Sequence, residues 1–187
     1  MRLHSSFLAI LLASALPACE SPVQDEAIDA LGDEVEGVEE SEFHRYGQDC
    51  LACHGGYGDG PEWAFGGTIF ATPGDDIPVA GAIITIVDAD GQSLTRTSNC
   101  AGNFYVDAEV FEPAFPVHVE IECPLPDGST RRNVMGTRVN RDGGCASCHD
   151  RGEATFESAG QIYCSATQTN PPFEVPPDCP GGPSPSL

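Results

Sequence analysis

The sequence predicts a mainly β protein: a small antiparallel β-sandwich flanked by two irregular segments, with a disordered acidic leader before them and a Pro-rich tail behind. Three observations carry this reading. Between residues 66 and 123, short apolar runs alternate with turn residues at the spacing of antiparallel strands. Residues 20–42 hold ten carboxylates and no Lys or Arg, a density that repels itself and leaves too little apolar surface to collapse. Residues 171–185 hold seven prolines, which suit neither helix nor central strand.

The strands follow in order. Gly67-Thr68-Ile69-Phe70-Ala71 is the first run and ends in the turn material Pro73-Gly74-Asp75-Asp76. Residues 81–87 form the second, rich in β-branched side chains, and end at Asp90-Gly91, a favourable hairpin pair. Residues 93–98 and 103–106 are the third and fourth. In the fifth, residues 116–122, Val117, Val119 and Ile121 alternate with His118, Glu120 and Glu122, so one face is buried and the other wet. Residues 128–139 add an edge strand.

The chain of 187 residues carries 29 Asp and Glu against 8 basic residues, a formal charge of −21. That field repels phosphate backbones and excludes nucleic acid as a partner. Nine cysteines are too many for a reduced cytosolic protein of this size. Arg2 followed by an apolar run over residues 7–16 reads as a secretion signal, too short to span a bilayer. It ends in Leu16-Pro17-Ala18-Cys19, which resembles the lipobox of bacterial lipoproteins. The resemblance implies a signal peptide over residues 1–18, a lipid on Cys19 and, because Glu20 follows, sorting to the outer membrane. Plain cleavage nearby with a free Cys19 thiol is the alternative. Residues 19–42 are then a tether holding the body off the membrane, the chain's only membrane contact being its lipid anchor.

Cys50-Leu51-Ala52-Cys53-His54 and Cys145-Ala146-Ser147-Cys148-His149 are both C-x-x-C-H, the string of c-type haem attachment. Two thiols bond the two vinyl groups of one porphyrin, and the adjacent His falls beneath the iron as proximal ligand. Paired C-x-x-C also occurs in zinc ribbons, but at roughly 15–20 residues' separation and without the following His. Disulfides within each motif are a further alternative in an exported chain. The expectation is two c-type haems, held covalently by Cys50, Cys53, Cys145 and Cys148, with His54 and His149 as proximal ligands. The first haem segment then covers residues 43–65, the sandwich 66–139, the second haem segment 140–165 and the Pro-rich tail 166–187.

Gly67-Thr68-Ile69-Phe70, Pro78-Val79-Ala80-Gly81-Ala82 and Thr97-Ser98-Asn99-Cys100-Ala101-Gly102-Asn103-Phe104 resemble the carboxypeptidase regulatory-like, or prealbumin-like, β-sandwich. Asn99 stands where that family has Asp. The wider arrangement is similar to small exported bacterial dihaem cytochromes with such a sandwich between two haem motifs. The sandwich implies a scaffold rather than an activity.

Four cysteines remain: Cys100, Cys123, Cys164 and Cys179. They allow three connectivities; the expected one is Cys100–Cys123 within the sandwich and Cys164–Cys179 at the start of the tail. Distal haem ligands come from His44, Met135 and His118. His44 lies close before Cys50 and is expected to reach the other haem. Met135 neighbours Arg131, Arg132, Arg138 and Arg141, which suit haem propionates. His118 serves only if the wet face of its strand carries a haem. No Ser/His/Asp set is present, so the expected function is one-electron transfer by a surface-tethered lipoprotein that is not an enzyme, its redox partners presenting a basic patch. The alternative is a peroxidase-like haem enzyme or gas sensor with one open axial position.

Overall fold

The computed structural model describes residues 21–180, apart from 35–37, 39, 57, 59 and 157. The expected signal peptide, residues 1–18, and the expected lipidation site, Cys19, therefore lie outside the described residues. Two sheets face one another, so the chain is a small β-sandwich. The first sheet is built on β1 (Trp63–Phe70), with β4 (Asn103–Asp107) antiparallel on one side. Two short parallel partners, β7 (Gly143–Gly144) and β8 (Ile162–Tyr163), follow one another along β1. The second sheet runs β3-β2-β5-β6, all antiparallel, from β2 (Ile83–Val87), β3 (Ser93–Thr97), β5 (His118–Pro124) and β6 (Thr130–Val134).

Alternation sets which face each strand buries. Ile84 and Ile86 of β2 point inward while Ile83 is exposed; Phe104 and Val106 of β4 point inward while Tyr105 faces out. Phe65 and Ile69 of β1, Val117, and Ile121 and Cys123 of β5 complete the core, each large apolar side chain contributing about 1.5–3 kcal/mol. At the β2–β3 hairpin, Asp88 accepts the N–H groups of Asp90 and Gln92 at 3.0 and 2.8 Å, and Gly91 takes φ 81°, a left-handed conformation that glycine adopts without strain.

Two features depart from expectation. Part of the acidic leader is ordered: Pro22–Ala30 is a helix, α1, with Pro at its start. A nine-residue helix is marginal alone, and tertiary contacts hold this one. The Gln24 side-chain amide donates to the Ala52 carbonyl, Gln48 Nε2 donates to the Leu31 carbonyl at 3.0 Å, and Arg45 pairs with Glu34 at 3.0 Å. The segments flanking the sandwich also enter it. β1 begins at Trp63, inside the first segment, and the second supplies β7 and β8. No helix among the described residues is long and apolar enough to cross a membrane.

Candidate haem-attachment site

The first motif is the single-turn helix α2 (Cys50–His54), opened by Asp49, whose carboxylate accepts the Leu51 N–H at 3.2 Å. Helical spacing places Cys50, Cys53 and His54 on one side of the turn. Cys50 packs on Gly66 of β1, where a Cβ would lie 2.7 Å from the Cys50 Cβ. His54 is enclosed on three sides. Its Nδ1 lies 2.8 Å from the Pro61 carbonyl. Trp63 stacks on the ring at 3.6 Å and 6°, and a Cβ on Gly60 would come within 2.5 Å of its Cε1 and Nδ1. An Nδ1–H donated to a carbonyl fixes the tautomer and leaves the Nε2 lone pair as the ligating atom.

The second motif follows β7 as a 3₁₀ turn, Cys145–Ser147, and His149 N–H donates to the Cys145 carbonyl at 2.8 Å. Here too the imidazole Nδ1 meets a backbone carbonyl, that of Gly160, at 2.9 Å. Cys145 packs on Gly67, where a Cβ would lie 2.8 Å from the Cys145 Cβ. Parallel pairing of β7 with Phe65 and Gly66 thus draws both motifs onto two adjacent glycines of one strand. Burial, with Asp49 adding to it, pushes the Cys50 thiol up to about 12. Burial does the same to Cys145, also to about 12, with smaller contributions from Cys50, Asp49 and Asp142. Both thiols are held protonated at neutral pH, which resists oxidative pairing.

The cysteines divide cleanly. Cys50, Cys53, Cys145 and Cys148 are unpaired, whereas the other four described cysteines form disulfides. The pairing corrects the expected one: the bonds are Cys100–Cys179 and Cys123–Cys164. Cys123 is the penultimate residue of β5 in one sheet and Cys164 follows β8 in the other, and both lie in the core. Their bond therefore ties sheet to sheet, and Cys100, at the turn before β4, is left to hold the tail. Among the described residues no three His, Cys, Asp or Glu side chains gather as a set for a bare metal ion. A haem iron needs no such set, because the porphyrin supplies its four equatorial donors.

A cavity of about 740 Å³ opens at the first motif, lined by His44, Cys50, Cys53, His54, Trp63 and Tyr105 among others, within the range of about 300–1,000 Å³ typical of cofactor pockets. Free thiols, an oriented imidazole and this volume fit a c-type haem. His44 is a second correction. It stands in this cavity beside its own motif, ring centroid 6.1 Å from that of His54, its Nδ1 against the Ser41 carbonyl. The turns over residues 42–47, with Arg45 at φ 50° and Gly47 at φ 75°, fold the short connection back. His118 and Met135 belong to the other sheet: His118 pairs with Val87, and the Met135 N–H donates to the Val119 carbonyl at 3.1 Å. Of the neighbouring arginines, Arg132 pairs with Glu120, Arg131 donates to Ser165 Oγ at 2.8 Å and Arg141 pairs with Asp142 at 3.4 Å.

Sequence reasoning missed Trp63, Tyr105 and the carbonyls of Pro61 and Gly160. The pair Gly66-Gly67 inside a strand pattern was the available signal, since interior strand glycines mark close approach. Compared with known proteins, the chain matches no family model, no curated protein and no solved structure.

Proposed function

We propose that this chain is a dihaem electron-transfer protein, each C-x-x-C-H motif holding one c-type haem, and not an enzyme. The observation that carries the reading is the shared treatment of two histidines far apart in sequence. His54 and His149 each have Nδ1 on a backbone carbonyl, at 2.8 and 2.9 Å, beside thiols that stay unpaired while every other described cysteine is bridged. When bound, such a group supplies a one-electron couple at its iron. The chain's own part is to orient the two imidazoles, anchor the macrocycles at Cys50, Cys53, Cys145 and Cys148, and hold the two sites side by side on Gly66 and Gly67.

His44 supports transfer over the peroxidase-like alternative at the first site. His44 and His54 line one cavity with ring centroids 6.1 Å apart, so both imidazoles would be available to hold the same group. Carboxylates at the cavity, among them Glu34, Glu40, Glu42 and Asp107, favour a redox partner with a basic patch. They also favour the ferric state and so a low to moderate potential. Export, lipidation at Cys19 and outer-membrane anchoring belong to the same reading.

The test is a pyridine haemochrome assay on the full chain expressed in a host that exports it and attaches c-type haem. Two haems per chain are expected, with one remaining in Cys50→Ser/Cys53→Ser and one in Cys145→Ser/Cys148→Ser. No covalent haem in the wild type overturns the reading.

A further inference from the structure

Trp63 occupies a position that strand geometry alone does not give it. In a regular strand Trp63 and Phe65 share a face; Phe65 is 1 % exposed in the core. A bulge in the β1–β4 pairing lies between them, Trp63 opposing Asp107 and Phe65 opposing Val106. Bulges re-aim a side chain, and this one turns Trp63 out to the face of Tyr105. The result is a ladder of three rings: His54 on Trp63 at 3.6 Å and 6°, and Trp63 on Tyr105 at 4.4 Å and 14°. Its inner end is the histidine whose Nε2 is free for iron. Its outer end, Tyr105, is 36 % exposed.

We propose that this ladder is the port through which one electron passes between the first motif and a redox partner, and that the partner seats on Tyr105. The proposal rests on the reading of that motif as a haem site. Electron tunnelling falls off exponentially with distance and fastest across empty gaps, so two rings in contact between ligand and surface shorten the costly part of the path. In the step, one electron leaves the reduced partner and the oxidised site gains it, or the reverse. No bond breaks, no proton moves, and Trp63 and Tyr105 remain closed-shell throughout. Asp107, across from Trp63 on β4, gives the port a negative border that steers a cationic one-electron carrier.

The experiment uses the full, haem-loaded chain with Tyr105 in place and a soluble cationic ruthenium polypyridyl photoreductant or, as control, a thiol-linked one at Val110→Cys, where the native side chain is 60 % exposed. Flash photolysis reads the rate of reduction at the first site. Trp63→Leu and Tyr105→Leu are each expected to slow transfer from the soluble reductant several-fold and to leave transfer from 110 unchanged, while Trp63→Phe, which keeps a ring in the ladder, restores most of the rate. Should the Trp63→Leu variant fail to fold, Trp63→Met makes the same contrast. Equal slowing in both arms, or none from the soluble reductant, overturns the port while leaving the haem reading intact. A wild type without covalent haem overturns both, so the two failures are distinguishable.

Discussion

Arg151, two residues beyond the second motif, lies over the ring of Tyr46, four residues before the first, with its guanidinium carbon 5.2 Å from the ring centroid. The same guanidinium pairs with Asp76 at 2.6 Å, and Tyr46 leans on Phe70 of β1 at 6.4 Å. One side chain thus fastens the two motif segments to each other and to the sandwich. The contact is partly exposed, so its worth is modest: Arg151→Ala is expected to cost about 0.5–1.5 kcal/mol. Thermal unfolding reads the loss. Arg151→Lys should recover only part of it, since Lys gives up the planar stacking. The same variants should weaken a split Soret circular dichroism signal between adjacent haems, and an unchanged split would mean that β7 alone holds the two sites together.

The adjacent glycines of β1 make a sharper pair. A Cβ on Gly66 meets Cys50 at 2.7 Å and one on Gly67 meets Cys145 at 2.8 Å, both below ordinary contact. Gly66→Ala should displace the first motif and Gly67→Ala the second, each costing about 1–3 kcal/mol by overpacking. Haem-peptide mapping should find loss at the matching motif in each variant. Loss at both motifs in either variant would show instead that the whole sheet had been disturbed.

Non-reducing peptide mapping should recover Cys100–Cys179 and Cys123–Cys164. The second crosslink closes 41 residues and joins β5 to the end of β8 across the core. Cys123→Ala/Cys164→Ala should cost about 3–5 kcal/mol, from lost chain constraint and lost core volume. Cys100→Ala/Cys179→Ala removes a crosslink spanning 79 residues and should cost a comparable amount through chain constraint alone, while leaving haem content unchanged because it ties the tail and not a motif.

Asp49 gives a pH dependence. Burial raises its carboxyl above the usual range, the Leu51 N–H lowers it, and Asp142 raises it further. A folded-state value above the unfolded one means that the ionised form opposes folding. The penalty is therefore present at neutral pH and vanishes as pH falls toward about 4. Asp49→Asn keeps an oxygen for the Leu51 N–H and sheds the charge, so it should melt higher than wild type at pH 7, with the two converging in acid. Asp49→Ala removes the acceptor as well and should lose about 1 kcal/mol.

β2, β3, β4 and β5 were legible because their side chains alternate between a drier and a wetter face. Ile84 and Ile86 against Ile83, or Val117 and Ile121 against Glu120 and Glu122, leave one workable register. What was not legible had no side-chain period to betray it. β7 is Gly143 and Gly144, which pair with β1 through backbone alone. α1 sits among carboxylates whose repulsion argued for disorder, and it is held by contacts from residues 45–52 that local sequence does not announce. The bulge at Trp63 breaks the alternation that would have buried it. The disulfides depend on which strand ends meet across the sandwich, a property of topology rather than spacing.

His44 is where the fold changes the sequence expectation most. Nearness to Cys50 argued that it would serve the other haem. The turns over residues 42–47 instead return it to the cavity of its own motif, and the Asn103 amide fixes this connection by donating to the His44 carbonyl at 3.0 Å. Its Nδ1 is taken up by the Ser41 backbone, facing both its N–H and its carbonyl, so on the proposed reading Nε2 is the nitrogen that would meet iron. His44→Ala should therefore turn the first haem from six-coordinate low-spin to five-coordinate high-spin and let its ferrous form bind carbon monoxide. His44→Met should keep six ligands and raise the potential, because a thioether favours ferrous iron. His118→Ala and Met135→Ala, altered on the opposite sheet, should leave the first site low-spin. Resonance Raman spin-state markers on single-haem Cys145→Ser/Cys148→Ser protein isolate that site from its neighbour. A low-spin spectrum surviving His44→Ala there, but lost in His118→Ala or Met135→Ala, would take the axial role from His44.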